Sequence, residues 1–201
     1  MLKAIIFDID GVLADSRTAI MSNTKILLEE HGFSVNDTDL EKVSSSHSTE
    51  SALFFLAPQL EHDKKLLREM LLRLSVLTAQ NLSLIHPTSI VAQIPTLSNK
   101  YKLAAASNRK SSAEMVLETL GILPYFQVVM TSAIAPAKPN PKMIELALQK
   151  LGVAPNEAVF LGDNKEDELA GKAAGVPFFL IDGTKENEWK KFKEKFLTVP
   201  D

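Results

Sequence analysis

The sequence contains no cysteine among its 201 residues. It therefore forms no disulfide, and it has neither a thiol nucleophile nor a metal site built from thiolates. It also has no apolar run of membrane-spanning length, and the apolar run near its N-terminus is broken at Asp8, too early for a secretion signal. We therefore expect a cytoplasmic protein that has no membrane partner.

The chain also has no large excess of positive or negative charge. The chain has 22 basic and 25 acidic residues, a formal net charge of −3, and its lysines and arginines are scattered. A surface that binds nucleic acid needs clustered basic residues, so we expect no nucleic-acid partner. The hydrophobic content of 45% is ordinary for a globular protein, and the length fits one domain with a modest insertion.

Five short segments are apolar throughout, which predicts strands that are buried on both faces. They are AIIF from Ala4, LAAA from Leu103, VVM from Val128, VFL from Val159 and FFLI from Phe178. Helical patterns lie between most of them. Ser111 and Glu114 have the spacing of a capping box, and Asn140 is placed to cap a further helix. This alternation predicts an α/β fold with a doubly wound, mostly parallel sheet.

One long segment interrupts the alternation. Between about residues 16 and 86 the apolar spacing is helical, and no strand pattern is evident. The predicted helices are 17–31, 48–57 and 62–82. We therefore predict an α/β core made of residues 1–15 and 87–201, with a helical domain, residues 16–86, inserted after the first strand.

Polar or charged residues follow the predicted strands, at the edge of the sheet where α/β proteins bind ligands. In chain order they are Asp8, Asp10, Ser107, Asn108, Lys138, Asp163 and Asp167. Carboxylates crowded at one edge repel one another unless a cation offsets their charge, and Mg²⁺ takes carboxylate and phosphate oxygens as ligands. Each residue taken singly also suits an ordinary turn, helix start or solvated surface, but these explanations together require four coincidences along one edge.

Four motifs occur in a fixed order: DIDGVLADS, AAASN, the lysine of KPNP, and FLGDNKED. They resemble those of the haloacid dehalogenase superfamily, in particular its phosphatase branch with a small helical cap, such as the phosphoglycolate phosphatases. The resemblance covers almost the whole chain. It implies a Rossmann-like catalytic core with an inserted cap, and Mg²⁺-dependent hydrolysis of a small phosphomonoester through an aspartyl phosphate.

The resemblance also implies roles for individual residues. Asp8 corresponds to the nucleophile, and Asp10 to the general acid and base. Ser107 and Lys138 would act on the phosphoryl oxygens as catalytic and substrate-binding groups, with Asn108 beside them. The implied Mg²⁺ ligands are Asp8, the main-chain carbonyl of Asp10, and Asp163, with Asp167 as a supporting acid.

The substrate is less sharply indicated. Asp10 separates phosphatases from the dehalogenases of the family, whose leaving halide needs no proton. We expect a small phosphorylated metabolite, with phosphoglycolate or a sugar or nucleotide phosphate as the leading substrates, and a monomer or homodimer. The predicted specificity loop is SSSHSTES, residues 44–51, in which His47 is a candidate substrate contact. That loop has no arginine for a second anionic group, which counts against a firm choice of phosphoglycolate.

Two other functions remain open. A phosphosugar mutase of the same superfamily typically has a histidine in its first cap helix, where this chain has Ile20. A phospho-receiver signalling domain also uses an aspartyl phosphate, Mg²⁺ and a lysine, but its acceptor aspartate follows the third strand. Here the third strand, within VVMTSA, ends without an acid.

Overall fold

The computed structural model describes residues 1–44 and 49–197. The chain divides into two compact units, Met1–Asp15 with His86–Asp201, and Ser16–Ile85. We call them the sheet unit and the helical unit. Their assignment as catalytic core and cap stays a prediction. No helix among the described residues is long and apolar enough to cross a membrane.

The strands of the sheet unit are β1 Ala4–Phe7, β2 Ala14–Asp15, β3 His86–Pro87, β4 Lys102–Ser107, β5 Val128–Thr131, β6 Ala158–Gly162 and β7 Phe178–Leu180. Five of them form a parallel sheet with the order β5-β4-β1-β6-β7. The other two, β2 and β3, form a separate antiparallel pair. All five predicted strands are present, and the predicted α/β class is confirmed.

Helices connect the parallel strands and form most of the second unit. They are α1 Arg17–Glu30, α2 Asp37–Ser44, α3 Thr49–Leu56, α4 Lys64–Gln80, α5 Ile94–Ser98, α6 Ala113–Thr119, α7 Lys142–Leu151, α8 Lys165–Ala173 and α9 Glu186–Phe192. Short 3₁₀ turns occur at Pro58–His62, Leu82–Leu84, Val91–Gln93, Leu123–Tyr125 and Pro155–Glu157, and a π-helical turn at Lys193–Leu197 follows α9.

The core of the sheet unit forms where α7 packs on the sheet. The apolar positions of α7 recur at helical spacing, so one face of the helix is buried against the sheet, where it packs on β5, β4 and β1. Ile144 and Leu148 of that face share one cluster with Ile6, Ala104 and Phe160. The register of the strands, and so the relative height of their carboxyl ends, is set by their parallel pairing beneath this layer of side chains.

Two helix starts differ from the prediction. The expected capping box at Ser111 is wrong, because α6 begins at Ala113 and has Ser112 as its N-cap residue. The Ser112 side chain makes no capping hydrogen bond to the described amides of α6; its hydroxyl accepts one from Arg109 instead. The expected cap at Asn140 is displaced by one residue, because α7 begins at Lys142 and has Pro141 as its N-cap residue; the Asn140 side-chain oxygen still accepts from the amide of Lys142 at 3.0 Å.

The helical unit has a core of its own. Leu28 of α1, Leu53 of α3 and Met70 of α4 belong to one buried cluster. Four further leucines of α4 pack against it: Leu66, Leu67, Leu71 and Leu74. The structure adds α2, which was not predicted, because its sequence DTDLEKVS has only two buried apolar residues, Leu40 and Val43. So short and polar a segment carries little helical periodicity.

Candidate active site

The strand order brings three of the predicted residues to one edge of the sheet. β1 is the central strand, and β4 and β6 run parallel to it on either side. Asp8 follows β1, Ser107 ends β4, and Asp163 follows β6. The amide of Asp8 donates to the carbonyl of Leu161 at 2.8 Å, so the hydrogen-bond ladder continues as far as Asp8. The three side chains therefore start from adjacent strand ends.

Lys138 lies at the centre of this edge, in the loop between β5 and α7. Its side chain is only 3% exposed. Its ammonium group contacts Asp8 Oδ1 at 2.7 Å, Asp167 Oδ1 at 2.6 Å and the carbonyl of Ala106 at 2.9 Å. Burial lowers the pKa of Lys138, but the two carboxylates outweigh burial and raise it, so the side chain stays charged.

The acids of the site hold more negative charge than the lysine offsets. Burial raises the pKa of Asp8 well above its ordinary value, Lys138 opposes this shift, and Asp167, Asp10 and Asp163 add to it. Burial, followed by the charges of Asp167 and Asp10, raises the pKa of Asp163 to about 7. Both shifts have the same cause, which is that carboxylates have been brought together in a poorly solvated place.

Two glycines make room for these carboxylates. A Cβ at Gly11, where φ is +76°, would lie 1.8 Å from Asp163 Oδ2. A Cβ at Gly162 would lie 2.4 Å from the Cβ of Asp167. Any larger residue at either position would push an acidic side chain out of the cluster. The local backbone is thus shaped around Asp163 and Asp167.

The cluster fits a hard divalent cation. Carboxylate oxygens of Asp8, Asp163 and Asp167 all lie within 4.8 Å of one another. Including Asp10, the site has four carboxylates against two cationic side chains, Lys138 and Arg109, which leaves two negative charges when all six are ionised. Oxygen donors with an excess charge of this size are what Mg²⁺ binds in proteins.

Asn108 is engaged with the backbone of Lys138. Its side-chain oxygen accepts from the Lys138 amide at 2.8 Å, and its side-chain nitrogen donates to the Lys138 carbonyl at 3.2 Å and to Glu166 at 3.3 Å. The residue after β4 thereby holds the loop that carries the lysine. Its predicted contact with substrate stays a prediction.

Arg109 belongs to the site, although no motif of the sequence selects it. From its position alone, a solvated helix start is a more plausible interpretation than contact with an anionic substrate. In the structure its side chain is only 12% exposed and forms a bidentate ion pair with Asp10, from Nε to Oδ2 at 2.8 Å and from the second terminal nitrogen to Oδ1 at 2.7 Å. The only sequence signal was its place, two residues after Ser107.

The predicted site residues thus fall into two groups. The structure brings together Asp8, Asp10, Ser107, Asn108, Lys138, Asp163 and Asp167. His47 and the other residues of the segment 45–48, half of the loop 44–51, lie outside the described residues. The catalytic, metal-binding and substrate-binding roles of all these residues remain predictions.

A comparison with family models identifies the chain. Residues 5–181 match the model of the haloacid dehalogenase-like hydrolases. The chain belongs to this family. The match spans both the sheet unit and the helical unit, and the family predicted from the four motifs is confirmed.

Other members of the haloacid dehalogenase-like family are similar over most of their length. A pyrophosphatase PpaX from Bacillus pumilus is 26% identical over 185 residues, which are 87% of this chain and 81% of that protein. A phosphoglycolate phosphatase from Xanthomonas campestris is 26% identical over 178 residues, 87% and 80% of the two chains. The crystal structure of a subfamily IA hydrolase from Geobacter sulfurreducens superposes with a TM-score of 0.75 at 27% identity, covering 90% of this chain and 89% of that one.

Proposed function

We propose that this hydrolase is an Mg²⁺-dependent phosphatase that cleaves a small phosphomonoester through an aspartyl phosphate on Asp8. One observation carries the proposal: the buried Asp8 carboxylate follows the central strand and is paired with Lys138 beside two further acids. Phosphoryl transfer is achieved mainly by positioning and by neutralisation of charge, and this arrangement supplies both. Relatives named as phosphatases and pyrophosphatases support the same reaction class.

In the first step an oxygen of Asp8 attacks the phosphorus of the ester. The bond from phosphorus to the leaving oxygen breaks, and its electron pair goes to that oxygen. The carboxyl group of Asp10 gives its proton to the leaving oxygen, so that a neutral alcohol departs. Asp8 then carries the phosphoryl group, while Lys138 and the hydroxyl of Ser107 bind its outer oxygens.

In the second step the Asp10 carboxylate takes a proton from a water molecule. The water oxygen attacks phosphorus, and the bond between phosphorus and Asp8 breaks with its electron pair returning to the carboxylate. Phosphate leaves, and Asp8 and Asp10 are back in their initial protonation states. The covalent intermediate replaces one difficult displacement by two easier ones.

The residues that would hold Mg²⁺ are Asp8, Asp163 and the main-chain carbonyl of Asp10, with Asp167 in support. The positive charge held there would favour the ionised form of the carboxylates and offset the charge of the transferring phosphoryl oxygens. Lys138 forms ion pairs with two of these acids, Asp8 after β1 and Asp167 in α8. It therefore keeps the acids in place as well as contributing charge.

The proposed substrates are small phosphorylated metabolites. The names of the relatives point to phosphoglycolate and to pyrophosphate, and sugar or nucleotide phosphates also fit the chemistry of the site. A mutase would use the same first step but would need a second phosphoryl acceptor on its substrate. A panel of phosphate esters, pyrophosphate included, assayed for phosphate release and for isomerised product, separates these activities.

The covalent step has a direct test. We expect Asp10→Asn, incubated with p-nitrophenyl phosphate and Mg²⁺, to gain the mass of one phosphoryl group. The p-nitrophenolate group leaves without a proton from an acid, whereas hydrolysis of the aspartyl phosphate needs a base, which this variant lacks. Peptide mapping should place the group on Asp8. The matched control is Asp8→Asn, which should gain no mass and release no phosphate. Near-native turnover by Asp8→Asn would refute the covalent mechanism.

A further inference from the structure

We propose that Arg109 is a positioning residue that holds the carboxyl group of Asp10 in the orientation needed for proton transfer to the leaving group. The inference rests on the proposed function, in which Asp10 is the acid. It concerns a residue for which the four family motifs assign no role.

The geometry of the pair is the first ground for this inference. Two nitrogens of one guanidinium donate to the two oxygens of one carboxylate at 2.8 and 2.7 Å. A bidentate pair of this kind fixes the plane of the carboxylate as well as its distance. The Asp10 side chain is 31% exposed, so packing alone does not restrain its rotation.

Arg109 is itself held in place, which is the second ground. Its third guanidinium nitrogen donates to the hydroxyl of Ser112 at 2.9 Å. Its amide donates to the Ser107 hydroxyl at 3.2 Å, and its carbonyl accepts from the Ser132 amide at 3.2 Å. The anchor therefore joins the end of β4, the start of α6 and the segment after β5, which are all parts of the sheet unit.

A carboxylate has about four lone-pair sites, and the bidentate pair uses two of them, so this pairing does not by itself exclude a proton on the same group. All three guanidinium nitrogens of Arg109 donate to protein groups, Asp10 and Ser112, which favours a supporting role over direct recognition of substrate.

The test compares two substrates that differ in their need for an acid. p-Nitrophenolate leaves phosphorus without a proton, whereas the alkoxide of benzyl phosphate is far more basic and needs one. We measure kcat/KM, because it reports the steps up to phosphoryl transfer and excludes hydrolysis of the intermediate. Arg109→Ala should lose about 10²-fold on benzyl phosphate through misplacement of the acid. It should lose less than about threefold on p-nitrophenyl phosphate, because departure of p-nitrophenolate does not require proton transfer from the acid.

A double-mutant cycle shows whether Arg109 acts through Asp10. On benzyl phosphate, Asp10→Asn with Arg109→Ala should match Asp10→Asn alone within about twofold, because the partner is already gone. Arg109→Lys should recover only part of the loss, since an ammonium group cannot make the bidentate contact. Ser112→Ala, which removes one anchor of the guanidinium, should give a smaller loss with the same substrate dependence.

The matched control is Arg73→Ala. Arg73 makes the same bidentate contact with Glu30, at 2.8 and 2.6 Å, but in the helical unit. Its loss should leave the ratio of the two kcat/KM values unchanged. Unfolding temperatures of all variants identify those that lose activity through misfolding.

Three results would overturn the inference. Equal losses on both substrates would mean that Arg109 only supports the fold. Additive losses in the double mutant would mean that it acts independently of Asp10. A raised KM for pyrophosphate without a change on benzyl phosphate would mean that it binds an anionic leaving group directly. If Asp10→Asn itself lost nothing on benzyl phosphate, the failure would lie in the proposed acid and not in Arg109.

Discussion

Gly11 has two reasons to lack a side chain. Its φ of +76° is strained for other residues, and the space of a Cβ is taken by Asp163 Oδ2. The first reason concerns the stability of the turn, whereas the second concerns the position of an acid of the proposed metal site. The two effects are separable, because other glycines in the sheet unit have the same backbone conformation without the close neighbour.

We predict that Gly11→Ala binds Mg²⁺ about 10–100-fold more weakly, which is the usual effect of changing a residue that supports a metal ligand without binding the metal itself. Isothermal titration with Mg²⁺ measures this directly. The matched control is Gly121→Ala, where φ is +71° and a Cβ would meet no described atom within 4 Å. It should cost about 1–2 kcal/mol of stability from the backbone alone and leave Mg²⁺ affinity unchanged. Equal affinities in the two variants would contradict the role given to the close contact.

The ends of β1 and β6 act together because they are neighbours in the sheet. Asp8 and Asp163 extend from these ends, and Asp167 of α8 returns to the same place, where its Oδ2 accepts from the Asp163 amide at 3.2 Å. Two strands and one helix start thus deliver three carboxylates to one small volume. Their mutual repulsion should make stability without a cation dependent on pH.

The direction of this pH dependence of stability follows from Asp163, whose pKa is raised from an ordinary 3.8 to about 7. Between these values the folded protein binds a proton that the unfolded chain has lost. Stability in chelator should therefore be fully present at pH below about 4 and fall as the pH rises through about 7. Because Mg²⁺ competes with that proton, the stabilisation by Mg²⁺ should grow over the same range.

Thermal unfolding in chelator and in excess Mg²⁺, followed across this pH range, measures both trends. Asp163→Asn keeps the shape of the side chain and removes its titration, so its stability in chelator should depend less on pH. An unchanged pH dependence in Asp163→Asn would show that other groups produce it.

Each of the two units of the chain has a buried cluster formed from its own residues. Met70 of α4 and Met143 of α7 are both fully buried, one in each cluster. They provide a matched pair, since the same side chain is removed from two cores. A buried Met→Ala change costs about 2–5 kcal/mol where the surroundings do not collapse.

We predict that hydrogen exchange followed by mass spectrometry separates the two variants. Met70→Ala should raise exchange mainly in residues 16–85, because it weakens the core of the helical unit. Met143→Ala should raise it mainly in β1, β4 and α7. Local opening of this kind reports units that unfold with different free energies. A uniform rise in both variants would show that the chain opens as one cooperative body.

Much of this organisation could be predicted from local patterns. All five apolar runs were predicted as strands; β1, β4, β5 and β6 are largely buried, as expected, whereas β7 at the edge of the sheet is only half-buried and Leu180 is exposed. The polar residues after these runs, Asp8 and Lys138 among them, marked the edge of the sheet. Apolar periodicity likewise predicted α1, α3 and α4, but not α2, whose charged sequence has too few apolar positions.

The contacts of the side chains were decided only by the tertiary structure. Arg109 and Asp10 are 99 positions apart, and they meet because β4 lies next to β1 in the sheet. Ser112 is the N-cap residue of α6, but its hydroxyl accepts a hydrogen bond from the Arg109 guanidinium and makes no capping bond. The local sequence pattern at the helix start does not predict this contact. A run of residues specifies which groups stand at a strand end, because backbone preference and burial act locally. Which of those groups bind one another depends on strand order, because pairing is a matter of distance in space.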